Sequence, residues 1–206
     1  VRARRATTRK APTQARSRAM VDAILDAAAA VLRKTGYDDA TTNHVAEVAG
    51  VSVGSLYQYF PNKQALVDAL IVRHDAAMWA AFTTHATAAI GRSFPETVHA
   101  VIAALFAAHL VDPELHRALH QQAPRGGAHA VLAETTRRSR ALVEDILRAR
   151  AGQLGEVDDV PMAALVIVEA VEALIHASIA LPRARAEQLR LHAARLVLRY
   201  LGVPEP

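Results

Sequence analysis

A glycine flanked by small and hydroxyl-bearing residues lies between residues 41 and 63. Ala46 precedes Gly50 by four residues, and Leu56 follows it by six. A small residue, a turn glycine and a buried leucine at these spacings are typical of a helix-turn-helix, although a helical hairpin that only packs can share them. The second helix would expose side chains suited to a nucleic-acid groove, with hydroxyls for phosphates and an amide for a base edge. These side chains are Val53, Gly54, Ser55, Tyr57, Gln58 and Tyr59.

Positive charge is concentrated in the same part of the chain. Residues 1–63 carry ten Lys and Arg against five Asp and Glu, whereas the remainder carries fourteen against fifteen. A basic segment without apolar residues at helical spacing predicts a flexible arm over residues 1–17. Such an arm could lie along a polyanion, and a solubilising tail is the alternative.

Composition limits the class of protein. Of 206 residues, 52% are hydrophobic and 21% are charged, which allows a sizeable core and excludes a disordered chain. Cysteine is absent, which excludes a disulfide scaffold, a thiolate metal site and a cysteine nucleophile. The apolar stretches at 100–111 and 162–168 are shorter than the roughly 18–20 residues of a membrane span. We therefore expect a cytoplasmic protein with no membrane partner.

Other residues that could do chemistry form no fixed constellation. The chain has no nucleophile motif, phosphate loop or metal triad, so we expect no enzyme; a helical enzyme using histidine and glutamate is the alternative. His116 and His120 are four residues apart and could share a metal from one helix face. No third ligand has a matching spacing, so we expect no metal site and no cofactor.

Helices must position these side chains. Apolar residues recur three and four apart, and no strand pair is evident. Gly36 ends the first helix, Thr41 or Thr42 caps the second, Ser52 the third and Asn62 the fourth. The predicted helices span about 17–34, 42–49, 53–60, 63–89, 96–111, from 113 onward, 128–153, 159–181 and 184–201, with a loop at 124–127. The fold class is therefore all-α with about nine helices.

Two longer strings are more specific than the glycine spacing. Residues 41–46 read TTNHVA, and residues 50–63 read GVSVGSLYQYFPNK. Together with the flanking helices, over about residues 18–70, they closely resemble the N-terminal domain of the TetR family of bacterial transcriptional regulators. The resemblance implies a helix-turn-helix domain at 18–64 and a larger helical ligand-binding and dimerisation domain at 65–206.

The resemblance also implies which residues contact double-stranded DNA. They are Thr42, Asn43, Ser52, Val53, Gly54, Ser55, Tyr57, Gln58, Tyr59 and Lys63. Thr42 and Lys63 would bind phosphates, residues 52–55 would enter the major groove, the tyrosines would press on the sugar–phosphate backbone, and Gln58 and Asn43 could reach base edges. Val53 and Gly54 stand where long polar readers could sit, so DNA shape and the arm would supply part of the selectivity. Leu56 and Phe60 are expected in the core.

In this family the last two helices usually pair with those of a second subunit. The helix at about 161–181 is apolar over most of its circumference, so it must be buried on several sides. The helix at about 184–201 is predicted to align Leu189, Ala193, Leu196, Val197 and Tyr200 on one face. We therefore expect a homodimer through these two helices, with an ordinary intrachain core as the alternative.

The resemblance further implies a pocket for a small-molecule effector, whose identity the sequence leaves unknown. An apolar cavity with a few polar contacts is expected to include Trp79, Phe82, Phe106, His109, His116, Glu172 and His176. Plain core packing is the alternative for each aromatic residue. His176 lies one turn after Glu172 and could partner its carboxylate; an interface salt bridge is the other possibility.

Together, these observations favour a ligand-released dimeric repressor that binds a palindromic operator. An architectural or low-specificity DNA binder without an effector is the alternative function.

Overall fold

The computed structural model describes residues 10–86, 91–120, 129–155 and 157–204. These residues contain nine α-helices and no strand, as the hydrophobic periodicity predicts. The helices are α1 (Lys10–Asp39), α2 (Thr42–Ala49), α3 (Val53–Tyr59), α4 (Lys63–Ala86), α5 (Phe94–His109), α6 (Pro113–His120), α7 (His129–Ala149), α8 (Val160–Ser178) and α9 (Arg183–Tyr200).

Most helix boundaries follow local signals in the sequence. The side chains of Thr41, Ser52 and Asn62 each accept a hydrogen bond from the backbone N–H three residues later, and so cap α2, α3 and α4. Asp159 caps α8 in the same way, accepting from the N–H of Met162. Gly36 breaks the helical path near the end of α1, with a φ of 72°.

The first helix differs from its prediction. It begins at Lys10 rather than near residue 17, so residues 10–17 of the expected flexible arm are helical. Residues 1–9 of that arm lie outside the described part of the chain, as do the end of the predicted fourth helix at 87–89 and the predicted loop at 124–127.

Two large hydrophobic cores and a small cluster of Phe82, Ala104 and Ala108 fill the described part of the molecule. The first joins α1 to α4 and includes Leu115 and Leu119 of α6. The second joins α5, α7, α8 and α9. The predicted domain boundary at residue 64 falls inside α4, whose residues Leu66 to Ile71 supply side chains to the first core. Helices α4 and α6 therefore bind the two parts of the molecule together.

Helix α8 is longer and more continuously apolar than the 162–168 stretch considered above. By length and composition alone it could cross a membrane, with a mean hydropathy of 1.8. Its buried side chains, including Ile167, Val171 and Ile175, lie in the second core. A helix with these properties is also typical of the centre of a helical bundle.

Candidate DNA-binding surface and ligand cavity

The turn between α2 and α3 is built around Gly50. Its φ of 66° and ψ of 30° are left-handed, a conformation that glycine adopts without a steric penalty from a Cβ. Its N–H donates to the carbonyl of Glu47, and the N–H of Val51 donates to that of Ala46. This geometry closes α2 and redirects the chain into α3.

Helix α3 has one buried and one exposed side. Leu56 is fully buried and Phe60 lies in the same core, as expected. Ser55 is half-buried, and the other residues predicted to contact DNA from α3 and its cap are exposed. These exposed residues are Ser52, Val53, Gly54, Tyr57, Gln58 and Tyr59. The outer side of α3 is therefore accessible to a partner.

Hydroxyl groups connect α3 to neighbouring helices. The Tyr57 hydroxyl lies 3.0 Å from Oγ1 of Thr42, at the start of α2. Ser17 of α1 donates to the Tyr59 hydroxyl over 3.4 Å. Tyr57 is thus held close to the N-terminal turn of α2, where a phosphate would find backbone N–H groups, and Tyr59 lies beside α1.

Lys63 begins α4 at the edge of this surface. Its Nζ donates to the Asp38 carbonyl over 3.3 Å and lies 4.1 Å from the centre of the Tyr37 ring. An ammonium group has three donors, so this bond leaves capacity for a phosphate oxygen.

Asn43 is exposed on α2. We define the reading surface as the ten predicted residues on α2, α3 and the start of α4.

The early start of α1 adds a contribution to this surface that the predicted flexible arm did not include. Because α1 begins early and Ser17 contacts Tyr59, the exposed side chains of Arg16 and Arg18 are carried on a helix beside α3. The helical extent of α1 was the missing information, since the basic run lacks apolar residues at helical spacing.

A cavity of about 250 Å³ is lined by residues between positions 75 and 201 of the chain. Its walls come from α4 to α9 and are mainly apolar, with Asp75, Thr135 and Ser139 among the polar lining residues. Six of the seven predicted pocket residues line it: Trp79, Phe82, His109, His116, Glu172 and His176. Phe106 does not line it; this side chain is 2% exposed and lies in the second core.

Histidines from three helices meet at one end of this cavity. One ring nitrogen from each of His109, His116 and His176 lies within 4.8 Å of the other two. No third ligand has a sequence spacing that matches His116 and His120, and the histidines that lie close to His116 in space come from other helices; the side chain of His120 lies outside the described part of the chain. Residues 109 and 176 share no sequence spacing that could have predicted this grouping.

Burial alters two titratable groups of this region. The pKa of Glu172 is raised, chiefly by burial and further by the charge of Glu169, while Arg140 opposes the shift. The pKa of His74 is lowered, chiefly because burial disfavours the charged ring. Glu169 itself forms an ion pair with Arg140 of α7. Burial therefore disfavours the charged forms of both groups.

An ion pair connects the first core to α6. Nε of Arg33 donates to Oδ2 of Asp112 over 2.9 Å, and Oδ1 of Asp112 accepts from the N–H of Leu115 over 3.2 Å. Burial alone would raise the pKa of Asp112, but the hydrogen bonds from Arg33 and Leu115 and the nearby positive charges outweigh it, so the pKa is lowered. Asp112 thus caps α6 and ties it to α1 at once.

The outer faces of α8 and α9 leave large apolar side chains in solvent. Met162 and Val166 of α8, with Leu196 and Tyr200 of α9, are between 39% and 51% exposed. Ala193 and Val197, predicted on the same face of the last helix, are instead buried in the second core. The two faces of α9 therefore pack differently, with the inner one filled within the chain.

Known proteins match both halves of the chain. The domain described as "Tetracyclin repressor-like, C-terminal domain" matches residues 93–201, and "Bacterial regulatory proteins, tetR family" matches residues 24–70. An uncharacterized HTH-type transcriptional regulator of Bacillus subtilis, YvkB, is 47% identical over 53 residues, which are 26% of this chain and 28% of that protein. The class D tetracycline repressor protein of Escherichia coli is 38% identical over 65 residues, covering 29% of this chain and 30% of the repressor.

The chain thus matches less than a third of the length of these two curated relatives. A solved structure extends the likeness in fold: the fatty acid degradation regulator FadR of Bacillus halodurans aligns with a TM-score of 0.68 at 20% identity, over 86% of this chain and 94% of that one. The helix-turn-helix, the helical C-terminal half and the two matching domains lead to one assignment. The chain belongs to the TetR family of bacterial transcriptional regulators.

Proposed function

We propose that this regulator is a dimeric repressor that binds a palindromic operator in the cytoplasm and is released from it by a ligand in the cavity. The observation that supports this most directly is the position of α6. His116 of α6 lines the cavity, while Leu115 and Leu119 of the same helix pack in the core that carries the helix-turn-helix. A ligand against one face of α6 therefore acts on an element that also supports the DNA-binding helices.

The DNA contacts of the proposal are those of the reading surface. The start of α3 enters the major groove, where Gln58 offers an amide to a base edge. The hydroxyls of Thr42, Tyr57 and Tyr59 and the ammonium of Lys63 bind phosphates, which fixes the register of α3 on the duplex.

Dimerisation uses the exposed faces of α8 and α9. Met162, Val166, Leu196 and Tyr200 provide apolar area that a second copy covers across a twofold axis. The same axis presents two α3 helices to one DNA duplex, about 34–36 Å apart for half-sites one turn apart, or further for a longer site. The operator is consequently a palindrome.

The effector is a small, mainly apolar molecule or ion of a size that the 250 Å³ cavity admits. It releases DNA only if it binds more tightly to the conformation whose two α3 helices no longer fit the operator. The coupling is reciprocal, so operator DNA weakens effector binding by the same factor.

The experiment begins with selection of genomic fragments that the full chain binds, followed by titration of a selected duplex and a scrambled duplex. We expect tight binding to the selected duplex that weakens steeply with added salt. Gln58→Ala should cost about 1–3 kcal/mol on the selected duplex and less on the scrambled one. Gln153→Ala, an exposed glutamine between α7 and α8, is the matched control and should change neither.

Equal affinity for the two duplexes would instead identify an architectural or low-specificity binder. Absence of binding to any genomic fragment would contradict the whole proposal.

A further inference from the structure

The histidine cluster draws its members from three helices. His109 is the last residue of α5, His116 lies in α6, and His176 lies near the end of α8. A bend of 80° between α5 and α6 turns His116 back toward His109. The ring centres are 4.9 Å apart for His109 and His116, 5.3 Å for His116 and His176, and 6.0 Å for His109 and His176.

The hydrogen bonds of two rings orient their nitrogens. Nδ1 of His109 lies 2.8 Å from the carbonyl oxygen of Leu105, which can only accept, so Nδ1 carries the proton and Nε2 of the neutral ring carries the lone pair. Nδ1 of His116 lies 3.2 Å from Nε2 of His74. A histidine that uses one nitrogen for a hydrogen bond and offers the other is the usual arrangement of a metal ligand and its outer-shell partner.

The distances suit a small ion with nitrogen ligands. Zinc binds histidine nitrogens at about 2.0–2.1 Å, which places the nitrogens of a tetrahedral site about 3.3 Å apart. Since the donor atoms already lie within 4.8 Å, each pair needs to approach by at most about 1.5 Å. His109 and His176 are half-buried beside the cavity.

The chemistry of the surroundings selects the class of ion. Imidazole ligands suit zinc, copper, nickel and related transition metals, whereas magnesium and calcium prefer oxygen ligands. The carboxyl groups of Asp75 and Glu172 line the same cavity.

We propose that His109, His116 and His176 bind a divalent transition metal ion of the zinc class at the α6 end of the cavity. The fourth coordination position faces the cavity. Metal binding itself does not depend on the proposed repressor function; only its consequence for DNA does. Since His116 belongs to α6, bound metal fixes that helix relative to α5 and α8.

Direct metal binding by the full chain tests the site. Zinc affinity is measured by competition with a chromophoric chelator, and Co²⁺ serves as a spectroscopic probe. We expect one tight site per chain and intense visible bands of four-coordinate Co²⁺. His176→Gln and His116→Gln should each weaken zinc binding by more than about 10-fold, because even loss of an outer-shell partner costs about 10–100-fold.

His85→Gln is the matched control. Nδ1 of His85 lies 2.7 Å from the Ala81 carbonyl, the same bond to the preceding turn that His109 makes, but His85 is exposed on α4 and outside the cluster. Its zinc affinity should equal that of the unaltered chain. His74→Ala should weaken binding by about 10–100-fold as loss of an outer-shell partner, without removing the four-coordinate Co²⁺ bands.

Folding of each variant is checked by its helical circular dichroism and melting temperature. If His116→Gln does not fold, His176→Gln, at a half-buried position, decides the question. Zinc binding equally tight in His176→Gln and the unaltered chain overturns the site, as does a Co²⁺ spectrum typical of six oxygen ligands.

Operator binding with and without zinc is a separate readout. An effect of zinc on operator affinity that disappears in His176→Gln supports the site and makes the metal an effector. A third outcome is that the unaltered chain binds zinc, His176→Gln does not, and neither binds DNA. That outcome contradicts the proposed repressor function and still supports the metal site.

Discussion

Gly50 sets the angle at which α3 leaves α2. An added Cβ would meet nothing within 4 Å, so space is not what requires glycine there. The positive φ of 66° is the requirement, since other residues pay a steric cost in that region. Gly54, in the first turn of α3, has an ordinary helical conformation, and its nearest neighbour would be Oγ of Ser52 at 3.9 Å.

Gly50→Ala should therefore lower the free energy of unfolding by about 1–2 kcal/mol. Gly54→Ala is the control and should raise that free energy by about 0.5–1 kcal/mol, because alanine favours a helix over glycine. Denaturant unfolding followed by circular dichroism measures both. Equal stability of Gly50→Ala and the unaltered chain would contradict the strain argument.

Among the elements, α6 is the one that both parts of the molecule share. Its cap Asp112 bonds Arg33 of α1, its residues Leu115 and Leu119 pack in the first core, and His116 faces the cavity. If a ligand displaces α6, the ion pair between Arg33 and Asp112 must either break or move α1 together with α6. This pair is partly exposed, with 42% of the Arg33 side chain in solvent, so its contribution to stability is small.

Arg33→Ala should destabilise the chain by at most about 1 kcal/mol at neutral pH, with a defined pH dependence. Because the pKa of Asp112 is lowered from its ordinary 3.8, the stability it contributes is present above that value and is lost as the pH falls through the lowered pKa. The difference between the variant and the unaltered chain should therefore vanish in acid. Unfolding free energies measured across acidic and neutral pH check this.

Arg137→Ala provides the comparison for that series. Arg137 pairs with Glu134 within α7, and both side chains are well exposed. Its removal should change stability by less than about 0.5 kcal/mol at any pH. A similar change in stability for the two substitutions would show that the ion pair between α1 and α6 stabilises the chain no more than an exposed pair within one helix.

At the scale of the whole molecule, the outer faces of α8 and α9 expose large apolar side chains that nothing in the described part of the chain covers. Leu196 of α9 is 45% exposed. Leaving so large an apolar side chain in solvent is unfavourable at a helix that is otherwise packed. In a twofold dimer any residue of the interface occurs twice, so one substitution introduces two charges into one buried patch.

Leu196→Glu should convert a dimer into a monomer and reduce operator affinity by about 10-fold or more, because uncompensated buried charge costs several kcal/mol. Val111→Glu is the control, since Val111 is 76% exposed between α5 and α6, away from that face. Analytical ultracentrifugation gives the mass, and duplex titration gives the affinity. A Leu196→Glu chain that keeps the mass of the unaltered protein would exclude this interface.

The sequence by itself determined the features that depend on neighbouring residues. The caps at Thr41, Ser52 and Asn62, the turn at Gly50 and the burial of Leu56 follow from side chains within a few positions of one another. Helical periodicity likewise placed nine helices and the exposed side of α3, since it repeats every 3.6 residues. The predicted start of α1 was wrong because the polar run before residue 17 carries no apolar stripe.

Only the tertiary structure decided which helices bring their side chains together. His109, His116 and His176 meet because the chain bends sharply between α5 and α6 and α8 packs beside them; the sequence predicted all three in one pocket, but not that their ring nitrogens lie within 4.8 Å of one another. The bond from Arg33 to Asp112 and the turning of Phe106 into the core have the same origin. Helix crossing angles arise from how whole side-chain surfaces interlock, a property of the packed molecule that no single stretch of residues contains.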